Sequence, residues 1–347
     1  MTNTNPNTIT SAPKGRIRLY CCGGAAINIV SQLNKIRINP DMLASFEPVQ
    51  IDTAVSNLGD HTIGMETYLL PKTKGSGKDR TENLALAREH TKPILKAHPP
   101  LDLNIVLSTG AGGSGSVLAP SIVSELLAAG QQTIVLLIGV TASRREINNT
   151  RGTIKNYQEI AAARNAPVVM SYLQNSSNMP REKVNAHMLS TISYLGLLFS
   201  NRNSELDPMD LRNWLFFTKQ GITSGLKPQL FSLNILLRDE KDAQADMVFE
   251  NDLHNLGNVL SLATLARQGV HTDLPDGYLP EYQAVGFVPN LAGSTAFEGT
   301  SVNYLITDGL VPTIIAELRN AAQHPQPDQI DATDMDDDDE VNAVSFA

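Results

Sequence analysis

The stretch Thr109-Gly110-Ala111-Gly112-Gly113-Ser114-Gly115-Ser116 constrains this chain more than any other. An apolar run, Asn104 to Ser108, leads into it, and a helical pattern from Val117 to Ala129 leads out. Strand, glycine-rich turn and helix together hold an anion. Glycine lets the backbone approach closely, and the N–H groups at the helix start point at the charge. Ser114 and Ser116 add hydroxyl donors. Pro120 falls in the first turn of the predicted helix, where proline is tolerated, and Gly130 closes that helix.

A second unit of the same kind comes earlier. Arg16 to Cys22 reads as a strand, Gly23-Gly24-Ala25-Ala26 as a turn, and Ile27 to Ile36 as a helix. It lacks both Gly-x-Gly-x-x-Gly and the Gly-Lys-Ser/Thr of a P-loop, so taken alone it is equally a tight turn without a ligand. Val49 to Thr53 and Thr67 to Leu70 read as short strands. Asp52, at the end of the first, either reaches a phosphate-bound magnesium through water or caps a turn. Lys72 to Asp79, with Gly75 and Gly77, suits closure over a polyphosphate, or is a solvated loop.

Glu82 to Ala97 is helical, Thr133 to Val140 a buried strand, and Thr141 to Asn149 a charged loop. Thr153 to Arg164 is a helix and Pro167 to Leu173 a strand. The alternation predicts a mostly parallel sheet with helices on both faces, whose ligands lie beyond the carboxyl ends of the strands. Both glycine turns, the Lys72–Asp79 loop, Asp52 and Asn175 follow strands, so all of them converge on one crevice.

Pro180 to Asn201 is a long helical pattern with Val184, His187, Met188, Thr191, Leu195, Leu198 and Phe199 on one side. That placement makes His187 a core histidine. Its ~20 residues span roughly 30 Å. Glu205-Leu206-Asp207-Pro208-Met209-Asp210 follows, then Leu211 to Lys219 with the only tryptophan, Trp214, read as a packing residue. Alone, Asp207 and Asp210 read as caps of the next helix. Strands at Gln229–Leu237, Tyr282–Pro289 and Val302–Thr307, with helices at Ala245–Gly269 and Pro312–Gln323, make a smaller α/β domain. Asp328 to Glu340 forms a strongly acidic tail, either solvated or a charged arm for a basic surface.

With 347 residues the chain is long enough for two domains. Its net charge of −9 argues against general nucleic-acid binding. Only Cys21 and Cys22 are present, adjacent in an apolar run, which excludes a disulfide framework and fits a reducing cytosol. The first 13 residues are polar, with no apolar core of a signal peptide. No apolar run approaches the ~20 residues of a membrane span.

Together these motifs resemble the tubulin/FtsZ superfamily. Ala111-Gly112-Gly113-Ser114-Gly115-Ser116 is similar to its Gly-Gly-Gly-Thr-Gly-Ser-Gly type turn, and Gly23 to Asn28 to its first phosphate loop. The resemblance is greatest to the bacteriophage tubulins (PhuZ type). It rests on Gly-Ser-Gly-Ser-Val-Leu, on Leu206 to Asp210 followed by Asn213-Trp214 and Phe217-Thr218, and on the acidic tail. It covers about residues 16 to 340.

The resemblance implies an α/β, Rossmann-type GTPase domain with a parallel sheet, a long central helix and a smaller α/β C-terminal domain. Residues 1–13 precede a GTP-binding domain at 14–179, a linking helix at 180–202, a C-terminal domain with the catalytic loop at 203–325 and the tail at 326–347. Gly23, Gly24, Gly112, Gly113, Ser114, Gly115 and Ser116 would surround the phosphates of GTP or GDP, with Asp52, Gly75 and Gly77 beside them and Mg²⁺ on the phosphates. Asn28, Asn175 and Asn185 would face the guanine, and Glu146 and Arg151 the ribose. Glu205 replaces the Asn of bacterial relatives, while Asp207 and Asp210 would be the hydrolytic acids. A rod of roughly 30 Å keeps those acids from their own nucleotide. They would act on a neighbour stacked head to tail, which makes a filament and not a closed ring. The implied protein is a polymer-forming GTPase of the host bacterial cytoplasm that positions phage DNA or a nucleus-like structure. Its partners would be further copies of itself, with the tail docked on a neighbour and neither membrane nor nucleic acid bound directly. A Rossmann oxidoreductase and a non-hydrolysing tubulin-like scaffold are the alternatives.

Overall fold

Among the described residues, alternating apolar runs and helical patterns build one sheet of nine strands. The computed structural model describes residues 13–36, 40–58, 64–71, 80–176, 179–201, 207–216, 228–239, 259–262, 300–307 and 310–323. The strands are β1 (Arg16–Cys22), β2 (Ser45–Asp52), β3 (Glu66–Leu69), β4 (Leu103–Thr109), β5 (Thr133–Val140), β6 (Val168–Asn175), β7 (Leu230–Asp239), β8 (Val259–Leu262) and β9 (Thr300–Thr307). Their order is β3-β2-β1-β4-β5-β6-β7-β9-β8. All pairs from β3 to β7 are parallel, and β9 pairs antiparallel with both β7 and β8. The central strands are buried nearly end to end, as a sheet covered on both faces requires.

The helices among the described residues are α1 (Gly24–Val30), α2 (Arg80–Ala97), α3 (Gly115–Ala128), α4 (Arg144–Arg164), α5 (Arg181–Leu198), α6 (Pro208–Leu215) and α7 (Leu310–Gln323). From β1 the chain crosses to β2 through α1. From β4 it crosses the other way to β5 through α3, so right-handed crossovers put α1 and α3 on opposite faces. α3 is flanked by α2 and α4, and α1 packs against α5. Cys21 and Cys22 are buried in the core, and burial pushes both thiols up.

Several sequence expectations are corrected. The first helix is shorter than Ile27–Ile36. The side chains of Ser31 and Gln32 both donate to the Asn28 carbonyl, at 2.9 and 3.0 Å, drawing the backbone out of the helix after Val30. The charged loop predicted over Thr141–Asn149 is helical from Arg144. Ser143 caps α4 by accepting from the Glu146 N–H at 3.3 Å, and its own hydroxyl donates to the Glu146 carboxylate. This is the Ser-x-x-Glu capping pattern. Because α3 starts at Gly115, Pro120 lies in its second turn and not its first. His187 is exposed. The buried line of α5 is Val184, Met188, Ile192 and Leu195, and His187 falls off it. Val259–Leu262 is a strand inside the predicted helix Ala245–Gly269. The predicted strand Tyr282–Pro289, the Lys72–Asp79 loop and the acidic tail lie outside the described residues.

β7, β9 and β8 extend the sheet without a break at the predicted boundary near residue 203. Trp214 is buried edge-on against Tyr304 of β9, which carries out its predicted packing role.

Candidate functional site

In a parallel sheet of this order the strand sequence reverses between β1 and β4, and a crevice opens there beyond the carboxyl ends. The register sets Cys22 beside Ser108, so the two strands end nearly level. Both predicted glycine turns leave from that point. Gly23 has φ +88°, a conformation that glycine adopts without strain, and its N–H donates to Ile51 O at 2.9 Å. A Cβ on Gly115 would stand 2.6 Å from the Cys22 carbonyl oxygen. A Cβ on Gly23 would stand 3.7 Å from both the Gly115 Cα and the Ser114 Oγ. The two turns therefore touch, and glycine at 115 is what allows it.

The second turn has its carbonyls tied back into the protein. Gly110 O accepts from Thr153 Oγ1 at 3.0 Å, Ala111 O from Asn149 Nδ2 at 3.1 Å, and Gly113 O from the buried Ser116 Oγ at 3.3 Å. Among the described residues no acceptor is bonded to the N–H groups of Ala111, Gly112, Gly113 or Ser114. Carbonyls held inward and N–H groups left over, at the start of a 14-residue helix, form an anion cradle.

Asp52 is buried beside this cradle and serves as a turn cap. Its Oδ1 accepts from Thr53 N–H at 2.6 Å and Ala54 N–H at 3.3 Å, and its Oδ2 from Asn57 Nδ2 at 2.6 Å. The Asn57 amide thus held lies over Gly24, where a Cβ would come within 2.7 Å of it. No group of three or more His, Cys, Asp or Glu side chains able to hold a metal occurs among the described residues.

On the opposite side of the crevice, Asn175 ends β6 and the half-buried Asn185 lies in the second turn of α5. Asn28 is exposed on α1, which packs against α5. Glu146 and Arg151 both lie on α4, five residues and so about 140° apart around the helix, and they project to different sides. Tyr172, which composition and spacing do not single out, lies across Gly139 of β5 and donates to Gln174 Oε1. Gly139, next to the last residue of β5, leaves the space that the phenol fills. Gly75 and Gly77 are outside the described residues.

Asp207 is at the other end of the molecule. α5 has 18 residues, about 27 Å. Its far end is bonded to the amino-terminal ends of β1 and β2: Gly15 N–H donates to Ser200 O at 3.2 Å and Ala44 N–H to Gly196 O at 2.8 Å. Beyond it, Asp207 is exposed and caps α6, accepting from Met209 N–H at 2.7 Å. Asp210 is the third residue of α6, and its side chain lies outside the described set.

Two glycine turns at the switch point of a parallel sheet, with an acidic helix cap a helix-length away, can be set against known proteins. No family model matches the chain. It is 34% identical over 223 residues to a phage tubulin-like protein of Pseudomonas phage PhiPA3, covering 64% of this chain and 67% of that protein. It is 30% identical over 245 residues to the phage tubulin-like protein of Pseudomonas phage phiKZ, covering 67% and 71%. The chain belongs to the phage tubulin-like proteins. Its fold is similar to a TubZ protofilament from bacteriophage PhiKZ, with TM-score 0.71, 24% identity and 95% and 99% of the two chains covered. It is also similar to the phage tubulin PhuZ bound to GDP, with TM-score 0.70, 22% identity and coverage of 93% and 98%. An FtsZ of M. jannaschii shares the fold more distantly, with TM-score 0.61, 16% identity and coverage of 85% and 91%. The phage tubulin-like proteins thus include this chain, as the glycine turn and the Leu206–Asp210 run imply.

Proposed function

We propose that this phage tubulin-like protein binds GTP in the crevice between β1 and β4, assembles head to tail, and hydrolyses the nucleotide at the contact between subunits. The observation that carries the reading is the separation of two halves of a site. The cradle, with its N–H groups left over, lies at the carboxyl edge of the sheet, and Asp207 follows the far end of α5, a helix about 27 Å long whose end is bonded to the amino edge. Neither half can hydrolyse GTP alone. Stacking one molecule on the next brings them together, and such a heterologous contact propagates as a filament. The family supports this, since relatives have been solved as a protofilament and with GDP bound.

In this arrangement the N–H groups of Ala111 to Ser114 and the hydroxyls of Ser114 and Ser116 take the phosphates. Gly23 and Gly24 close the other wall. Asn28, Asn175 and Asn185 read the guanine, and Glu146 and Arg151 serve the ribose from separate sides of α4. Asp207 and Asp210 orient and polarise the attacking water on the neighbour's terminal phosphate. Mg²⁺ carried by the phosphates would supply charge neutralisation, with Asp52 beside it. Residues 14–179 hold nucleotide, 180–202 connect, and 203–325 deliver the acids. The tail at 326–347 docks on the next subunit. The polymer acts in the host cytoplasm on phage DNA or a nucleus-like structure. Membership of this family sets aside the oxidoreductase alternative.

Phosphate release measured against protein concentration tests the reading. The expected rate rises more steeply than linearly above a critical concentration, with filaments visible by electron microscopy. A rate strictly proportional to concentration would sink the shared site, and assembly without phosphate release would leave a scaffold.

A further inference from the structure

α4 carries an unusual face. Thr150, Thr153 and Asn156, at three-residue spacing, are fully buried although polar, and Asn149 is half-buried beside them. Buried polar side chains destabilise a fold unless hydrogen-bonded, so a helix that only packs would place apolar residues there. This face lies against the second glycine turn. A Cβ on Gly110 would approach the Thr150 Cα to 3.2 Å. Thr153 Oγ1 is within reach of two carbonyls, Gly110 O at 3.0 Å and Asn149 O at 2.8 Å. Asn149 Nδ2 donates to Ala111 O at 3.1 Å. The Asn149 carbonyl also accepts from Nη1 of Arg80, at 3.3 Å. Arg80 is buried, and it is the first residue of α2, directly after the Lys72–Asp79 stretch.

We propose that Asn149 and Thr153 are positioning residues for nucleotide phosphate: they hold the carbonyls of Ala111 and Gly110 inward so that the following N–H groups face the anion. The inference rests on the cradle being a GTP site and adds what shapes it. A peptide unit is planar, so fixing its carbonyl fixes the direction of the next N–H. Ala111 O sets the Gly112 N–H, and Gly110 O sets the Ala111 N–H. The Asn149 backbone carbonyl also ties α4 to Arg80 at the start of α2.

The test compares affinities of the full chain for GTP, GDP and guanosine. Asn149→Asp keeps the side-chain shape but replaces the donor with an acceptor. Thr153→Val keeps the shape but removes the hydroxyl, and Thr153→Ser restores the hydroxyl. Loss of one such bond at a buried site is expected to weaken GTP and GDP about 10- to 100-fold. Guanosine, which has no phosphate, should change less than about twofold, since that difference is under about 0.5 kcal/mol. Thr153→Ser should bind GTP like wild type. Unchanged GTP affinity in Asn149→Asp and Thr153→Val would overturn the inference. Equal losses for GTP and guanosine would also overturn it, since they mark general loosening of the fold. If the wild-type chain binds GTP no better than guanosine, the cradle reading itself fails, and this inference with it.

Discussion

The backbone at Gly115 lies so near the Cys22 carbonyl that a single added methyl carbon would stand 2.6 Å from the oxygen. This contact joins the end of β1 to the start of α3 and presses two glycine turns, 92 positions apart at Gly23 and Gly115, into one crevice. Both partners are backbone, so neither can turn away as a side chain would.

Gly115→Ala is therefore expected to destabilise the fold by about 1–3 kcal/mol, the range for overpacking a tight contact. GTP affinity should fall with it, because the turns must separate. Urea denaturation and nucleotide titration check this. A variant as stable as wild type would show that the contact yields.

Asp207 both caps α6 and, on the proposed mechanism, acts on a neighbour's nucleotide. Asp207→Asn keeps an oxygen for the Met209 N–H and removes the carboxylate. It should fold, bind GTP and assemble, with turnover reduced about 10²- to 10⁴-fold. Asp207→Ala should lose about 1 kcal/mol of stability as well. Asp210→Ala should likewise assemble and turn over slowly. Loss of GTP binding in any of these would point to a structural role instead.

Asn57 is held by Asp52 and lies over Gly24. Gly24→Ala should cost stability in the wild-type background and less in Asn57→Ala, where the obstruction is gone. The coupling in a double-mutant cycle should be of order 0.5–3 kcal/mol, typical for residues in contact. Additive effects would show that Asn57 moves aside freely.

At the amino edge of the sheet, Glu66 accepts from His98 Nδ1 at 2.8 Å and pairs with Arg18 at 3.0 Å. The hydrogen bond from His98, with the charge of Arg18, holds the Glu66 carboxyl below its ordinary value of 4.5. A lowered folded value means that the stabilisation is fully present above about pH 4.5 and is lost as pH falls through the lowered value. The side chain is 57% exposed, so the contribution is that of a surface pair, about 0.2–1 kcal/mol. Denaturation of wild type and Glu66→Gln should differ by this amount at pH 6, and the difference should shrink as pH falls below about 4.5. A difference that does not shrink with falling pH would assign the effect to packing.

Sequence pattern went furthest where a local rule has one physical outcome. Glycine turns after apolar runs marked both walls of the crevice, since only glycine tolerates φ +88° at Gly23 or the approach at Gly115. The alternation of strand and helix implied the parallel sheet. It fell short where competing local interactions decide the outcome. The Ser143–Glu146 cap turned a charged loop into helix, and side-chain bonds to Asn28 O ended α1 early. His187 lies only 100° from Met188 around α5, too small an offset for a seven-residue list of one helix side to resolve.

The sequence by itself determined that this chain carries a glycine-rich turn between strand and helix, a long helix and an acid-bearing segment after it, because spacing and residue type act within a few residues. Only the tertiary structure decided that the two glycine turns meet, that Asp52 is bonded within its own turn, and that side chains of α4 bond the carbonyls of the second turn. Those facts depend on strand order and on contacts between residues some 40 to 90 positions apart, such as Thr153 with Gly110 and Cys22 with Gly115. A chain fixes such contacts only when its whole core closes.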